Sequence, residues 1–481
     1  MNRSKHPFLK LTHKELEEGF LNQSIKNNFT LPESKLPPSF LVEDKNFLCG
    51  GYFISYNQEV NPGEITDACK RRNWSFFFNL IGNFLVIFFD FSTCEIFVLV
   101  DQFGGFPCYF SSDNERFLLS TSFAKIKNSL SNCSLNLDGA MDYFSCTDAL
   151  LLTDKTIIAE IRQIPPGSVL KIKKDLSYSL SSFVDVNRFF LGKLTPCSSI
   201  KKFADEFIRV LKKVIQERLS VLEKFPIATD LSSGFDSSLI SYLVKKLSNK
   251  PFTSYTWISP YINADTDPKI VLEFAKKHKI KGEFINMDDF LPFSDFDLER
   301  IKEEFYSAGH ASEIVYEVNR RAAKNKPLVF FQGIGGDEAL LSFSLEQVVR
   351  FPVQYAYFCS AVNSFKFYKI DQILSSRGLD FLLDKERFCK KRYYPTITSP
   401  SAVLAMLPNF PIYWETNVWP ITPFMDPRIV QIGRKVPIMN LKTIQKQEIW
   451  KGRTDIFVPR QFRPKGHMGN WVKQFLKRRH N

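Results

Sequence analysis

The hydrophobic pattern of the chain changes its period near residue 200. Before that point, short β-rich runs such as Val86–Phe89 and Ile96–Val100 are separated by turn residues, as is typical of strands. After it, apolar residues recur at spacings of three and four, which predicts an amphipathic helix. These apolar residues are Phe203, Phe207, Val210, Leu211, Val214 and Ile215. Strand and helix patterns then alternate to about residue 340, which predicts a parallel α/β sheet.

The change of period predicts two domains. Residues 1–190 are the strand-rich domain, and residues 195–481 contain the α/β sheet and a helical remainder with proline-rich breaks near residues 407–427. The segment Leu191–Pro196 is the expected linker. A chain of 481 residues is ample for two buried cores.

The segment Asn73–Phe89 is uncharged over 17 positions, yet it is short for a membrane span and polar residues interrupt it. We expect two buried strands broken at Gly82–Asn83, and no membrane partner. The first residues lead into no apolar signal-peptide core. The nine cysteines form no C-x-x-C pair, which favours reduced thiols and a cytoplasmic protein.

Charge is spread along the chain, with 64 Lys and Arg against 51 Asp and Glu, a net charge of +13. A diffuse basic surplus suits anionic ligands such as nucleotides or an acidic peptide. There is no zinc-finger spacing and no aromatic RNA-binding signature, so a nucleic-acid partner is not expected.

One motif with clear chemistry is Leu231–Ser238, which reads LSSGFDSS between a short predicted strand and a predicted helix. Small residues at such a turn let backbone N–H groups and hydroxyls approach an anion, and the helix dipole favours negative charge. Because Asp236 would repel a bare phosphate, its presence implies Mg²⁺ between carboxylate and phosphates. A capped helix start is the plainer interpretation of the same residues.

A second motif, Gln332–Glu338, reads QGIGGDE and follows the predicted strand Leu328–Phe331. It again places glycines and a carboxylate at the carboxyl end of a parallel strand, where open α/β sheets build their sites. Two such loops about 100 residues apart favour a site over two unrelated helix caps.

Together these motifs resemble the asparagine synthetase family, whose pyrophosphate loop is S-G-G-x-D-S-S and whose later motif is G-x-G-x-D-E. Further matches in the same order cover nearly the whole chain. They are Gly82–Phe84, Asp101–Pro107, Pro165–Gly167, Thr422–Asp426, Val436–Pro437, Lys446–Trp450, Val458–Pro459 and Arg463–Gly466. The resemblance implies an α+β, Ntn-type glutaminase-like sandwich before an α/β parallel-sheet synthetase domain with a helical C-terminal part.

The family's chemistry is ATP-dependent, AMP-forming amide ligation with Mg²⁺. By this resemblance Asp236 and Asp337 would bind the metal, and Asp236 and Lys465 would be catalytic. The positions assigned to ATP or its pyrophosphate are Leu231, Ser232, Ser233, Gly234, Ser237, Ser238, Gly335 and Gly336.

Position 2 is Asn2, where glutamine-dependent members carry their nucleophilic cysteine. The resemblance therefore implies a glutaminase-like domain without its nucleophile, so that nitrogen comes from ammonia or from an amine of the substrate. Lasso-peptide macrolactam synthetases and β-lactam synthetases fit the second case. Ile334 replaces the tyrosine of β-lactam synthetases and the glutamate of asparagine synthetases, which favours the lasso type, with a precursor peptide and a leader protease as partners.

Several questions stay open. Glu338 or His310 are candidate general bases, and the substrate is a peptide or a small carboxylate. Ser233 stands where the family's loop has a glycine, and Asp230 is an unusual charge at a strand end. These two changes keep a second interpretation open, a degenerate, non-catalytic nucleotide-binding or partner-binding homologue. A tRNA-modifying enzyme of the same loop class would carry zinc or cysteine pairs that this chain lacks.

Overall fold

The computed structural model describes residues 6–12, 15, 28–145, 150–184, 195–259, 268–290, 312–341, 380, 400–433 and 435. They divide into two compact units, each of which is treated by itself. The first unit holds the described residues up to 184 together with 380 and 400–408. The second holds those from 195 to 341 and from 409 onwards. The predicted linker lies mostly outside the described residues, so the predicted domain boundary stays a prediction.

The described strands and α-helices are numbered here in chain order. The strands are β1 Phe8–Thr12, β2 Phe29–Thr30, β3 Ser39–Asp44, β4 Phe47–Ser55, β5 Gly82–Asp90, β6 Glu95–Val100, β7 Tyr109–Ser112, β8 Arg116–Ser120, β9 Arg162–Gln163, β10 Ser168–Ile172, β11 Tyr178–Ser182, β12 Ile227–Asp230, β13 Thr253–Ile258, β14 Lys281–Asn286, β15 Leu328–Phe331 and β16 Val418–Ile421. The helices are α1 Pro62–Lys70, α2 Trp74–Asn79, α3 Phe123–Lys127, α4 Leu137–Ser145, α5 Ile200–Val221, α6 Phe235–Leu247, α7 Pro268–His278, α8 Ser312–Ala323, α9 Gly336–Leu341, α10 Pro400–Met406, α11 Phe410–Thr416 and α12 Pro427–Gly433.

The first unit is built on two antiparallel sheets. One has the strand order β2-β1-β8-β7-β9 and the other β11-β10-β6-β5-β4-β3. β4, β5 and β6 are almost wholly buried, which is why their sequences are near-continuous apolar runs rather than alternating ones. This is the strand-rich architecture that the first part of the sequence predicts.

Phenylalanine fills much of the core of this unit. Phe84 and Phe88 lie on one face of β5, because residues two and four apart on a strand share a face. The ring centroids of Phe77 and Phe84 are 5.4 Å apart, and those of Phe88 and Phe97 are 6.4 Å apart. Part of the chain's content of 48 phenylalanines in 481 residues is therefore used in this packing.

The prediction of two strands over Asn73–Phe89 is wrong in its first half. Residues Trp74–Asn79 form α2, and only the second half is a strand, β5. Within and just after α2 only Phe77 and Leu80 are buried, at a helical spacing of three. A short apolar run has no decisive period of its own, so tertiary packing selects the helix. Among the described residues, no helix has the length and apolar character to cross a membrane.

The second unit contains a five-stranded parallel sheet with the order β14-β13-β12-β15-β16. The chain adds β13 and β14 on one side of β12 and then returns to add β15 and β16 on the other side. The strand order therefore reverses between β12 and β15, and such a reversal opens a crevice at the carboxyl ends of the two strands.

The prediction of a helical remainder with proline-rich breaks misses β16. This strand contains Pro420, which lacks the N–H group that a central strand needs. Among the described strands, β16 pairs only with β15 and forms the edge of the sheet, where one side of the strand needs no partner. Proline is tolerated at an edge for that reason.

Candidate active site

The two predicted loops lie side by side in the structure. Thr229 in β12 is in register with Phe331 in β15, so the segments that follow both strands leave the sheet at the same edge. The backbone N–H of Gly333 donates to Oδ2 of Asp230 at 3.3 Å, which joins the start of one loop to the other. Parallel pairing of β12 and β15 thus builds the site from segments 103 positions apart.

The loop after β12 is held in shape by its own serines. The N–H of Ser232 donates to Oγ of Ser237 at 3.0 Å, and the two hydroxyl oxygens are 2.7 Å apart. Gly234 N–H donates to Oγ of Ser232, and the hydroxyl of Ser238 donates to the carbonyl of Ser232. Gly234 is the N-cap of α6 with no side-chain cap, so the 13-residue helix starts at the loop itself.

Buried hydroxyls under the loop form a layer that the sequence analysis did not identify. Thr229 Oγ1 lies 2.7 Å from Ser241 Oγ and 2.6 Å from Ser254 Oγ. Ser241 donates to the carbonyl of Asp230, and Thr256 donates to the carbonyl of Leu231. Serine and threonine residues within β12 and β13, among them Thr229, Ser254 and Thr256, were the available signal. They fix the backbone from which the loop departs.

Glycines in the second loop allow it to pack on the first. A Cβ atom on Gly336 would lie 2.3 Å from Cγ of Asp236, and one on Gly333 would lie 2.6 Å from the backbone nitrogen of Ser237. Gly335 has φ +90°, in the region that favours glycine. The lack of side chains at Gly333 and Gly336 therefore allows the second loop to lie against Asp236 and Ser237.

Two carboxyl groups, those of Asp230 and Asp236, lie where the loops meet. Burial, together with the charge of Asp236, raises the pKa of Asp230 to about 7, although the Gly333 N–H opposes the rise. Tyr413 lies under the same corner, with its hydroxyl bonded to the side-chain amide of Gln332 at 3.0 Å. Burial raises the pKa of Tyr413 to about 12, so it stays protonated.

A network of ion pairs holds the segment that packs against the second loop. The carboxylate of Asp426 is fully buried and pairs with Arg218 of α5 at 3.0 Å and with Arg428 of α12 at 2.8 Å. Burial opposes ionisation, but Arg428 and Arg218 together lower the pKa of Asp426. Arg428 also pairs with Glu217 at 2.6 Å. Just before Asp426, the 3-10 turn Pro423–Met425 packs on Gly335.

The structure brings most of the predicted site residues together. The loop and the first turn of α6 contain Leu231, Ser232, Ser233, Gly234, Asp236, Ser237 and Ser238. Gly335 and Gly336 contact this region, and Asp337 is exposed in the first turn of α9. Lys465, His310 and Asn2 lie outside the described residues, so their predicted roles stay predictions.

Over the described part of the chain, no group of three or more His, Cys, Asp or Glu could hold a metal ion.

Two family models match separate parts of the chain. A glutamine amidotransferase domain model matches residues 67–183, and an asparagine synthase model matches residues 206–350, which include both loops. Residues 206–350 are therefore similar to an asparagine synthase domain. The chain has an Ntn-type glutamine amidotransferase-like domain followed by a parallel-sheet α/β synthetase domain, as the resemblance implied. The asparagine synthase match supports an ATP-dependent amide ligase.

Similar solved structures come from several enzyme classes. Glutamine phosphoribosylpyrophosphate amidotransferase from B. subtilis has 10% identity and a TM-score of 0.23, covering 70% of this chain and 71% of its own. NH₃-dependent NAD synthetase from Campylobacter jejuni has 14% identity and a TM-score of 0.21, covering 39% of this chain and 94% of its own. NMN synthetase from Francisella tularensis has 11% identity and a TM-score of 0.17, covering 46% of this chain and 97% of its own. Among the curated proteins, no sequence matches this chain.

Proposed function

We propose that the chain is an ATP- and Mg²⁺-dependent amide ligase that releases AMP and pyrophosphate. The contact between Gly336 and Asp236 carries this proposal, because it joins a serine-rich loop at a helix N-terminus to a second carboxylate-bearing loop. Backbone N–H groups and the dipole of α6 favour a pyrophosphate group there. The matching asparagine synthase model spans both loops and supports the same assignment.

The donor set fits Mg²⁺. Asp236 and Asp337 supply carboxylate oxygens, which are the ligands that this ion prefers, and Mg²⁺ usually keeps waters and phosphate oxygens as its other ligands. In the proposal these two residues hold the ion. When bound, it would neutralise charge on the phosphates and favour the departure of pyrophosphate.

The proposed reaction has two steps. An oxygen of the substrate carboxylate attacks the α-phosphorus of ATP, the bond to pyrophosphate breaks, and an acyl-adenylate forms. The amine nitrogen then attacks the carbonyl carbon, AMP leaves, and the nitrogen loses one proton. Ser232, Gly234 and Ser237 would orient the pyrophosphate, and Lys465 would stabilise negative charge on the phosphate and the oxyanion. Removing one such group typically lowers the rate by about 10²–10³, so Lys465→Ala and Asp236→Ala are expected to abolish turnover.

The proposed amine belongs to the substrate, so that the product is a macrolactam ring in a peptide. Of the described cysteines in the first unit, Cys133 is exposed, whereas Cys49, Cys69, Cys94 and Cys108 are buried. Burial raises the pKa of the Cys69 and Cys108 thiols, which opposes their use as nucleophiles toward glutamine. Holding both ends of one molecule in a site can lower the barrier by up to ~7–11 kcal/mol. A precursor peptide and a leader-removing protease are the partners this proposal implies.

The test is to incubate the protein with ATP and Mg²⁺ and one acceptor at a time. The acceptors are aspartate with ammonium, and linear peptides with a free amino terminus and an internal Asp or Glu at varied positions. AMP together with loss of one water from a peptide supports ring closure. AMP with asparagine instead would replace the macrolactam proposal by ammonia-dependent asparagine synthesis. No AMP with any acceptor and no ATP binding would favour the degenerate homologue.

A further inference from the structure

Seven exposed lysines lie at the amino edge of the parallel sheet, at the opposite strand ends from the two loops. They belong to residues 245–250 and 276–281, the segments in which α6 ends before β13 and α7 ends before β14. These two segments contain no Asp or Glu. We call this surface the lysine edge, and its lysines are Lys245, Lys246, Lys250, Lys276, Lys277, Lys279 and Lys281.

The fold brings the two segments together. Near the end of α6 the ring of Tyr242 contacts the ring of His278, the last residue of α7, with centroids 5.0 Å apart. β13 and β14 are parallel neighbours, with Thr253 opposite Lys281, and Lys250 comes three residues before Thr253. Since paired strands lie about 4.8 Å apart, lysines some 30 positions apart in the sequence share one surface.

Helix dipoles account for part of this pattern. Four of the lysines lie in the last turns of α6 and α7, where a cation is favourable. Lys250 and Lys281 lie beyond both helices, and the effect of a dipole falls off within the last turn. A cluster of like charges on one surface is self-repulsive, and an anionic partner removes that repulsion.

An exposed leucine lies beside these lysines. Leu272 is 54% exposed and lies one turn before Lys276 on the same face of α7, because residues four apart share a helix face. Surfaces that read nucleic-acid bases use arginine or stacking aromatic rings, and residues 245–250 and 276–281 contain neither. An aliphatic side chain among lysines suits a peptide that has both carboxylates and an apolar residue.

We propose that the lysine edge is the docking surface for an acidic segment of a separate peptide chain. Its carboxylates pair with the lysines, and an apolar residue of the segment packs on Leu272. The six residues of β13 span about 20 Å, so a peptide bound at this edge leaves the loops at the other strand ends accessible. This inference goes beyond the ligase reaction and does not depend on it.

The experiment measures binding of a fluorescein-labelled peptide to the full chain, without ATP, by fluorescence anisotropy. The probe has the sequence Glu-Glu-Leu-Glu-Glu twice, and the ionic strength is low because salt screens exposed charges. The variants are Lys276→Gln/Lys281→Gln and Leu272→Ser. The control Lys45→Gln/Lys173→Gln removes the same charge from two exposed lysines of the first unit.

We expect saturable binding to the wild type. The double lysine variant should bind about fivefold more weakly, the effect of losing two exposed ion pairs. Leu272→Ser should lose about as much, since it removes part of an apolar contact. The control should bind as the wild type does. A probe with Gln in place of every Glu should not bind.

Four results would overturn the inference. They are no saturable binding of the acidic probe, equal losses in the double lysine variant and its control, tighter binding of an oligothymidylate of equal charge, and a wild-type dimer that the double lysine variant dissociates. The third result would make the partner a nucleic acid, and the fourth, seen by sedimentation, would make it a second copy of this chain.

The two proposals fail separately. If the wild type forms AMP but the lysine edge does not bind the acidic probe, the ligase proposal stands and the docking surface is wrong. If probe binding depends on Lys276, Lys281 and Leu272 but no acceptor yields AMP, the docking surface stands and the ligase proposal is wrong.

Discussion

A Cβ atom on Gly336 would lie 2.3 Å from Cγ of Asp236. The clashing atom belongs to the end of a side chain, so Gly336→Ala can be accommodated by turning Asp236 away rather than by unfolding. We expect the variant to melt near the wild type but to form AMP about 100-fold more slowly, as is typical when a catalytic group moves by about 1 Å. The measurement is AMP release alongside a melting curve.

The control for this variant is Gly282→Ala. Gly282 lies in β14 of the same sheet, and its nearest neighbour would be a ring carbon of Phe284 at 3.8 Å, an ordinary contact. If Gly282→Ala and Gly336→Ala form AMP at the same rate, the contact with Asp236 has no role in the site.

The hydroxyl of Ser237 organises the loop before any ligand binds. Ser237→Ala leaves the N–H of Ser232 without its 3.0 Å acceptor. Since a typical hydrogen bond contributes about 1 kcal/mol, we expect the dissociation constant for ATP to rise about fivefold. Calorimetric titration with ATP measures this change, and Ser248→Ala at the other end of α6 is the matched control. Unchanged ATP affinity in Ser237→Ala would count against the serine network.

The buried carboxylate of Asp426 is expected to stabilise the second unit. Asp426→Asn removes the carboxylate that pairs with Arg218 and Arg428. Because breaking a buried ion pair typically lowers the free energy of unfolding by about 3–5 kcal/mol, we expect a loss of that size. Glu217→Gln removes the more exposed end of the network and should lower it by about 1 kcal/mol or less. Urea unfolding of both variants tests the difference. Equal losses would mean that burial of Asp426 is irrelevant.

Asp101 gives the first unit a dependence on pH. It is fully buried and accepts the N–H groups of Phe103 and Gly105, yet burial raises its pKa from 3.8 to about 6. Because the folded protein binds the proton more tightly, the contribution of Asp101 to stability is fully present below pH 3.8 and is lost as the pH rises through about 6. A shift of this size corresponds to about 3 kcal/mol.

The pH prediction is tested against Asp101→Asn. Other titrating groups cancel in the difference between the two free energies of unfolding. That difference should move in favour of the wild type as the pH falls from neutral to about 4. A difference that stays constant over this range would show that Asp101 titrates alike in both states.

Local pattern predicted much of the fold. β15 begins and ends where its apolar run predicts, at Leu328 and Phe331, and α5 contains all six predicted periodic residues. The errors came where local pattern is ambiguous. The helix α2 is selected by the burial of Phe77, and β16 is possible only because Pro420 lies at the edge of the sheet.

The site shows the same limit. The sequence identified the residues of both loops, because glycines, serines and carboxylates after strands are a local signal. It could not show that Gly336 lies on Asp236 or that Gly333 bonds to Asp230, since these contacts depend on β12 and β15 being neighbours. The unusual charge of Asp230 was visible, but its buried, partnerless Oδ1 atom became apparent only in the folded chain.

The most direct test of the account is to identify the nucleotide that the wild type and Asp236→Asn release from ATP labelled in the adenine. The account predicts AMP and pyrophosphate from the wild type with a suitable acceptor, and neither from Asp236→Asn, with Gly282→Ala as active as the wild type. Release of ADP and phosphate, or equal AMP from Asp236→Asn, would contradict it.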